Sequence, residues 1–365
     1  MRSKRFPLIY FGRFFDRQYE FAIIKKLFLV YKYIGMNSSL FFSSYAGMYI
    51  AQTFCHSLIA ALIVDRAIQA WGITSPMVRQ RFSLIVMLFP IVSFPLYQLI
   101  NPDRGSVTFR METLFDVNRW LNLELWGIIP VNLLFIAMLA VTTLVFLVQE
   151  MIPILMHTIE ARRSSSEEEE TVDHPVMNDA MEDFPGEKPR ISVIDDDEFL
   201  LFSTTGKKPT VYLSSGLVEG MDREQLQAAI AHEVAHIERN RRPLLVVVYL
   251  IRMLMFFNPV VLVEFRRMVQ EEEKICDDAA VALTQRPGAL AKILRKFNYS
   301  GEDLTLGKMK KLSTLSVALE DYSHNVHLEG RIRRLEQGLE HRPGGAWLKF
   351  LLTLAVIGII NYFVV

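Results

Sequence analysis

The sequence has few cysteines and no excess of either charge, and each deficit excludes a class of protein. Its 365 residues include only two cysteines, far apart in the chain, so a secreted disulfide scaffold is excluded. The 40 Lys and Arg residues balance 40 Asp and Glu residues, which excludes a bulk basic face for direct nucleic-acid binding. Charged residues make up 22% and hydrophobic residues 51%, so the chain is not a disordered polyelectrolyte.

What the sequence has in abundance is long apolar runs. The mean hydropathy is +0.23, high for a soluble enzyme of this length. A membrane helix needs about 20 apolar residues to cross about 30 Å of hydrocarbon. Four runs of that kind occur, at residues 41–64, 82–100, 126–148 and 346–365. They predict an α-helical membrane protein with four transmembrane helices, three of them before the polar part of the chain.

The polar part lies between the third and fourth runs and divides in two. Residues 149–189 read as an acidic linker, because residues 164–189 hold nine acidic residues against Lys188 alone. Like charges and low hydrophobicity predict disorder there. Residues 190–345 are the remaining stretch able to form a water-facing domain.

The pattern within that domain mixes strands and helices. Alternating apolar residues predict strands at 190–194, 198–203 and 209–215. Asp222 and Gln225 resemble a capping box that opens a helix through about residue 240. The apolar run 243–263 is interrupted at Asn258-Pro259, which favours two shorter helices lying on or dipping into the membrane. A buried core helix is the alternative.

The N-terminal segment, residues 1–40, carries a different charge balance. Its first 35 residues hold eight Lys and Arg residues against two acidic residues. An amphipathic helix on the membrane surface is the physical interpretation. The competing interpretation is that the segment is not translated and that synthesis starts at Met36.

A motif for metal chemistry occurs at residues 232–236, where the sequence reads His232-Glu233-x-x-His236. On a helix, residues i and i+4 lie on one face, so both imidazoles can reach a single ion. Glu233, next to the first histidine, can then act as general base toward the attacking water. Two surface histidines on an ordinary helix are the alternative.

A third ligand is expected downstream, because a catalytic zinc site uses three protein ligands and keeps one position open. The segment 270–283 offers carboxylates on a predicted helix. Glu273 and Asp277 are again i and i+4, so one can bind the metal while the other accepts a hydrogen bond from the far nitrogen of a ligand histidine. Spacing alone leaves Glu271 and Glu272 open as replacements for Glu273.

Taken together, these motifs make the chain similar to the bacterial antibiotic-sensor membrane zinc metallopeptidases, the beta-lactam and methicillin-resistance sensor-transducers. The matching elements are the HExxH motif, the Asn258-Pro259 break, the Glu273-x-x-x-Asp277 pair with Cys276 before the aspartate, and GRIRRLEQG at residues 330–338. The resemblance covers roughly residues 190–340. It implies an α+β gluzincin-like domain with zinc bound by His232, His236 and Glu273, with Glu233 as general base.

The resemblance also sets expectations about layout. The sequence ends at Val365 without the Ser-x-x-Lys motif of a penicillin-binding domain, so we expect a short form that lacks the sensor domain. The family implies a bacterial inner membrane with the catalytic domain facing the cytoplasm. That arrangement would put the basic segment 1–35 outside, against the positive-inside tendency, and a start at Met36 removes the conflict.

The sequence therefore predicts an integral-membrane zinc endopeptidase that cleaves cytosolic or membrane-proximal proteins, with a transcriptional repressor as a candidate substrate. Its expected partners are a protein or peptide substrate and the lipid bilayer, without direct nucleic-acid contact, and the sequence does not fix the oligomeric state. Two alternatives stay open: a quality-control or prenyl-protein-processing membrane protease, and a signalling scaffold without catalysis. The Asn-Pro break and the Cys-Asp pair favour the sensor family over the other proteases.

Overall fold

The computed structural model describes residues 38, 40–152, 175–185, 187–197, 199–204, 209–240, 243–296, 328–338 and 346–365. The basic N-terminal segment before residue 38, including Met36, lies outside these residues, as does most of the segment between residues 297 and 345. The helices are α1 Tyr45–Ala70, α2 Pro76–Ile100, α3 Val107–Met111, α4 Val117–Leu121, α5 Val131–Phe146, α6 Pro175–Glu182, α7 Ser215–Glu219, α8 Arg223–Asn240, α9 Pro243–Leu254, α10 Pro259–Thr284, α11 287–296, α12 328–337 and α13 Ala346–Tyr362. The strands are β1 Glu124–Leu125, β2 Ile129–Pro130, β3 Arg190–Ile194, β4 Leu201–Thr204 and β5 Thr210–Ser214.

Within the described residues, three helices are long and apolar enough to cross a membrane. They are α1, α2 and α5, the last of which continues as a π-helical turn to Met151. Helix α13 is apolar but has only 17 residues. Three predicted spans therefore meet the length and composition that crossing requires, and the fourth stays a prediction.

The start of the third predicted span is wrong. Residues 126–130 form the turn and second strand of a β-hairpin instead of helix, with β1 antiparallel to β2. Trp126 and Gly127 have φ of 54° and 66°, the left-handed conformation that a tight hairpin turn needs at both central positions. Helix α5 begins only after Pro130, which has no N–H to donate to a preceding turn.

Helix α2 contains Pro90 and Pro95, which leave backbone carbonyls one turn earlier without their usual donors. Pro95 frees the carbonyl of Ile91, and the hydroxyl of Tyr49 on α1 donates to that oxygen at 3.3 Å. The break in α2 is thus closed by a side chain from the neighbouring apolar helix.

Helix α10 begins among the apolar helices and ends in the polar part of the protein. The side chain of Asn258 accepts the N–H groups of Val260 and Val261 and donates to Ser57 on α1 at 3.0 Å. Met268 packs in a buried cluster with Met87 of α2. The predicted break at Asn258-Pro259 is confirmed, because α9 and α10 are separate helices on its two sides.

The polar part contains a three-stranded sheet of order β3-β5-β4. Strand β3 runs parallel to β5, and β4 runs antiparallel to it. Val211 and Leu213 of β5 are fully buried against Leu226 and Ile230 of α8. The sheet therefore supports the helix that carries the HExxH motif.

The predicted disorder of the acidic linker is wrong for residues 175–185. Helix α6 lies there, and Met177, Ala180 and Phe184 are buried in the same core as the sheet. Met177 and Ala180 lie three residues apart on one face of α6 and Phe184 follows its end, while the exposed Asp179 and Asp183 pair with Arg223. The sequence did not indicate this helix, because its few apolar residues lie among many acidic ones and the high net charge of the segment favours disorder.

Residues after α13 pair with the loop between α3 and α4. The N–H of Leu114 donates to Phe363 at 2.9 Å, and the N–H of Val365 donates to Phe115 at 3.0 Å. Arg104 is completely buried beside this pairing. Its guanidinium donates to the carbonyls of Asn361, Tyr362 and Val364 and lies 4.7 Å from the centre of the Tyr97 ring.

Candidate metal centre

The HExxH helix, α8, begins with the predicted capping box. The Asp222 carboxylate accepts the N–H of Gln225 at 2.8 Å, and the Gln225 side chain accepts the N–H of Asp222 at 3.4 Å. This reciprocal pair satisfies two donors that a helix start leaves free. The capping box fixes the residue at which α8 begins. It thereby also fixes the direction in which His232 and His236, one turn apart, point from the helix.

Three side chains on two helices converge at one point. The Nε2 atoms of His232 and His236 lie 3.1 Å apart. The carboxylate of Glu273 on α10 lies 3.6 Å from the first and 3.4 Å from the second. One ligand atom from each residue lies within 4.8 Å of the others. The structure thus brings together the three residues predicted to bind metal, and only this group forms such a cluster within the described part of the chain.

These distances match what a zinc ion requires. Tetrahedral bonds of about 2.0–2.1 Å put neighbouring ligand atoms about 3.3 Å apart. The separation of 3.1 Å between the two Nε2 atoms lies near that value, as do the distances of 3.4 and 3.6 Å from these nitrogens to the two oxygens of Glu273. Two imidazoles and one carboxylate are also a common ligand set of catalytic zinc sites. The residues present therefore fit the metal.

A polar or sulfur atom lies close to the other nitrogen of each imidazole. His232 Nδ1 lies 3.2 Å from Asp277 Oδ1, as the spacing of the carboxylates predicts. His236 Nδ1 lies 3.4 Å from the Sγ of Cys276, which is fully buried. The Asp277 carboxylate can only accept, so it favours the His232 tautomer whose Nε2 lone pair faces the cluster. The sulfur of Cys276 thus touches a histidine of the cluster, a contact that the sequence did not assign.

Arg331 on α12 joins the two carboxylates of α10. Its guanidinium donates to both oxygens of Asp277, at 2.8 and 2.7 Å, and another of its nitrogens lies 3.0 Å from Glu273. A bidentate arginine–carboxylate pair is strong and geometrically restrictive. Arg331 lies in the segment 330–338 that carries the family resemblance, but nothing in the sequence assigned it this contact.

The surroundings of the cluster favour a positive charge. Burial lowers the pKa of His232, but the carboxylates of Asp277 and Glu273 outweigh it and raise the pKa to about 9. For Glu273, burial raises the pKa, but the two histidines and Arg331 hold it well below its usual range. The pKa of Asp277 is also lowered, because Arg331 and His232 outweigh burial. A metal ion would supply the positive charge that this arrangement stabilises.

The two other carboxylates considered as ligands point elsewhere. Glu272 accepts hydrogen bonds from Arg239 and from Gln80 of α2. Glu271 pairs with Lys274 at 2.8 Å. Both glutamates are therefore engaged with cations or amides, and Glu273 alone of the three faces the histidines.

Glu233 follows His232 on α8 and is only 9% exposed. Among the residues that the structure describes, none pairs with its carboxylate through a hydrogen bond or an ion pair. A buried carboxylate without a cation partner beside two histidines is suited to accept a proton. The role of general base stays a prediction for this residue.

Apolar helices long enough to cross a membrane and an HExxH cluster completed by a downstream glutamate define a class: membrane proteins with a metallopeptidase-type centre. A family model described as BlaR1 peptidase M56 matches residues 121–289. This match confirms the resemblance predicted from the sequence, and the family it describes implies a metallopeptidase of the membrane-sensor type. No curated protein matches the chain. The match ends before α12, so it does not include Arg331.

Proposed function

We propose that the protein is an integral-membrane zinc endopeptidase of the gluzincin type that cleaves protein substrates at the membrane surface. The observation that carries this proposal is the convergence of His232, His236 and Glu273, with Glu233 on the same helix as both histidines. Zinc held there would supply Lewis acidity, which polarises the scissile carbonyl and makes water a better nucleophile.

The residues of the chain divide the remaining work. Glu233 takes the proton of the attacking water and returns it to the leaving amine. Asp277 and Cys276 hold the imidazoles in one orientation, and Arg331 holds Asp277. Of these residues, Glu233 alone transfers a proton. The others position the metal ligands.

Strand β4 is a candidate platform for the substrate. It packs against α8 and forms one edge of the sheet formed by the described strands. Phe202 is 44% exposed and stacks on Tyr212 of β5, with ring centroids 5.1 Å apart. An extended peptide pairing with this edge would gain main-chain hydrogen bonds and an aromatic surface. This favours an unfolded or extended segment of a protein as substrate.

The short helix α9 supports a location at the membrane surface. Val246, Leu250 and Leu254 lie on one face and are each about 60% exposed. On the other face, the fully buried Arg252 pairs with Glu150 at the end of the third apolar helix, at 3.0 Å. An exposed apolar row beside apolar spans is suited to lipid. We propose that α13 completes four spans, with the metal centre facing the cytoplasm of a bacterial inner membrane and a repressor as a candidate substrate.

The test compares the full-length chain with Glu233→Gln in proteoliposomes loaded with zinc. Unstructured protein substrates are added, and new termini in these and in the chain itself are identified by mass spectrometry, while bound zinc is measured in parallel. We expect Glu233→Gln to keep its zinc and to lose hydrolysis by about 10²–10⁴-fold. The matched control is Glu238→Gln, an exposed glutamate on the same helix, which should cleave like the wild type. Equal cleavage by wild type and Glu233→Gln would overturn the proposal, and zinc binding without any hydrolysis would favour the scaffold.

A further inference from the structure

A buried ion pair links the two helices that carry the candidate ligands. Arg239 of α8 comes three residues after His236, and Glu272 of α10 comes directly before Glu273. The guanidinium of Arg239 donates to both oxygens of Glu272, one of them at 2.6 Å. Their side chains are 11% and 8% exposed. The pair therefore fixes the separation of α8 and α10 within one turn of the metal cluster.

A third helix completes this contact. Gln80, near the start of α2, is 3% exposed. Its amide nitrogen donates to Glu272 at 2.7 Å, and its amide oxygen lies 3.4 Å from a nitrogen of Arg239. One amide thus touches both members of the ion pair. We call Gln80, Arg239 and Glu272 the inter-helix clamp.

Neighbouring contacts show that α10 is held against the apolar helices along its length. Arg267 lies 2.9 Å from Asp65 on α1, and Arg79 of α2 lies 3.7 Å from Glu271. The clamp differs from these pairs in two ways: it is buried, and it includes the HExxH helix. A displacement of α2 can therefore reach both ligand-bearing helices at one place.

We propose that Gln80 is a positioning residue of the metal centre: it holds the Arg239–Glu272 pair in place and so couples apolar helix α2 to the distance between the histidines and Glu273. This inference rests on the proposed metalloenzyme. Separations of 3.1–3.6 Å between ligand atoms leave little tolerance, and a shift of about 1 Å between supporting helices is enough to loosen such a site. Gln80 touches no ligand, so its effect must pass through Arg239 and Glu272.

The first measurement is the zinc affinity of the purified full-length chain, by competition with a chromophoric chelator. We expect Gln80→Met, which removes the amide at similar volume, to weaken zinc binding about tenfold, the lower end for outer contacts of metal sites. The visible spectrum of the cobalt-loaded variant should also change. The matched control is Tyr97→Phe, which removes another inter-helix hydrogen bond of α2, to Gly358 at 2.7 Å, far from the cluster. It should keep the wild-type affinity and spectrum.

A second variant tests the route. In a Glu272→Gln background the ion pair is already lost, so adding Gln80→Met should change zinc affinity no further. Circular dichroism of the zinc-free variants verifies that each is folded. Wild-type affinity and spectrum in Gln80→Met, or an undiminished effect in the Glu272→Gln background, would overturn the inference while leaving zinc binding and hydrolysis by the wild type intact. A wild type that binds no zinc would instead overturn the proposed function, and this inference with it.

Discussion

Two buried arginines in this protein are held by different kinds of partner. Arg331 beside the metal cluster is paired with two carboxylates, Asp277 and Glu273. Arg104, just beyond the end of α2, is held by three main-chain carbonyls at the end of α13, by the side-chain oxygen of Gln52 at 3.3 Å and by the face of Tyr97. One cation is neutralised by opposite charge, and the other is only solvated by dipoles.

The pKa shifts of the two arginines have opposite signs for this reason. Burial lowers the pKa of Arg331, but Asp277 and Glu273 more than compensate, so its pKa is raised. Burial dominates for Arg104, whose pKa falls to about 10 despite Tyr97 and Tyr362. The difference teaches that Arg331 belongs to a charge-balanced site, whereas Arg104 joins segments of backbone. Three substitutions sharpen this comparison.

The largest effect is expected from Arg331→Met. It removes the guanidinium that pairs with the buried carboxylate of Asp277 and the partly exposed one of Glu273, and breaking a buried ion pair costs about 3–5 kcal/mol. The free energy of unfolding, measured by detergent titration of the zinc-free chain, should fall by this amount. Arg333→Met on the same helix is the control, because that side chain is 67% exposed and should change stability by less than about 0.5 kcal/mol. A loss below about 1 kcal/mol in Arg331→Met would show that the carboxylates do not depend on it.

A smaller loss is expected from Arg104→Met. No opposite charge is left unpaired, and the cost is that of main-chain carbonyls without donors, about 2 kcal/mol. The same titration measures this loss, with Asp103→Asn, an exposed neighbour, as the control. Zinc affinity should stay unchanged, in contrast to Arg331→Met. A change in zinc affinity would erase the distinction between the two arginines.

The smallest effect is expected from Tyr49→Phe. It removes only the hydroxyl that donates to the Ile91 carbonyl, at the proline break of α2. Polar contacts between membrane helices average about 0.6 kcal/mol. Unfolding by the same titration should reveal a loss of that size, and Tyr45→Phe, whose ring is largely exposed on the same helix, is the matched control. A loss as large as that of Arg104→Met would mean that the break is a major support of the bundle.

Local patterns predicted the parts of the centre that lie close together in sequence. His232 and His236 share a helical face, the capping box sets the start of their helix, and Asn258-Pro259 marks the start of the next. These features depend on a few neighbouring residues, so the sequence alone specifies them. The prediction of the HExxH helix through about residue 240 agrees with α8, which ends at Asn240.

Contacts between distant segments could not be predicted in this way. Arg331 reaches Asp277 only because α12 folds back on α10, and Gln80 reaches Glu272 from a different apolar helix. Arg104 is held by backbone oxygens, which every residue type provides and no sequence pattern marks. The sequence pattern did not predict the buried face of α6, because its few apolar residues lie among acidic ones.

The two prolines of α2 acquire a mechanical meaning from where that helix is fastened. Its first turns are held at Gln80, and its last turns at Tyr97, about 26 Å away along the axis. Between these points, Pro90 and Pro95 each remove one backbone hydrogen bond of the helix. The helix should therefore bend most easily near these two prolines, which lie closer to its C-terminal end. A displacement of the Tyr97 end should therefore bend α2 near the two prolines before it moves the part of the helix that carries Gln80.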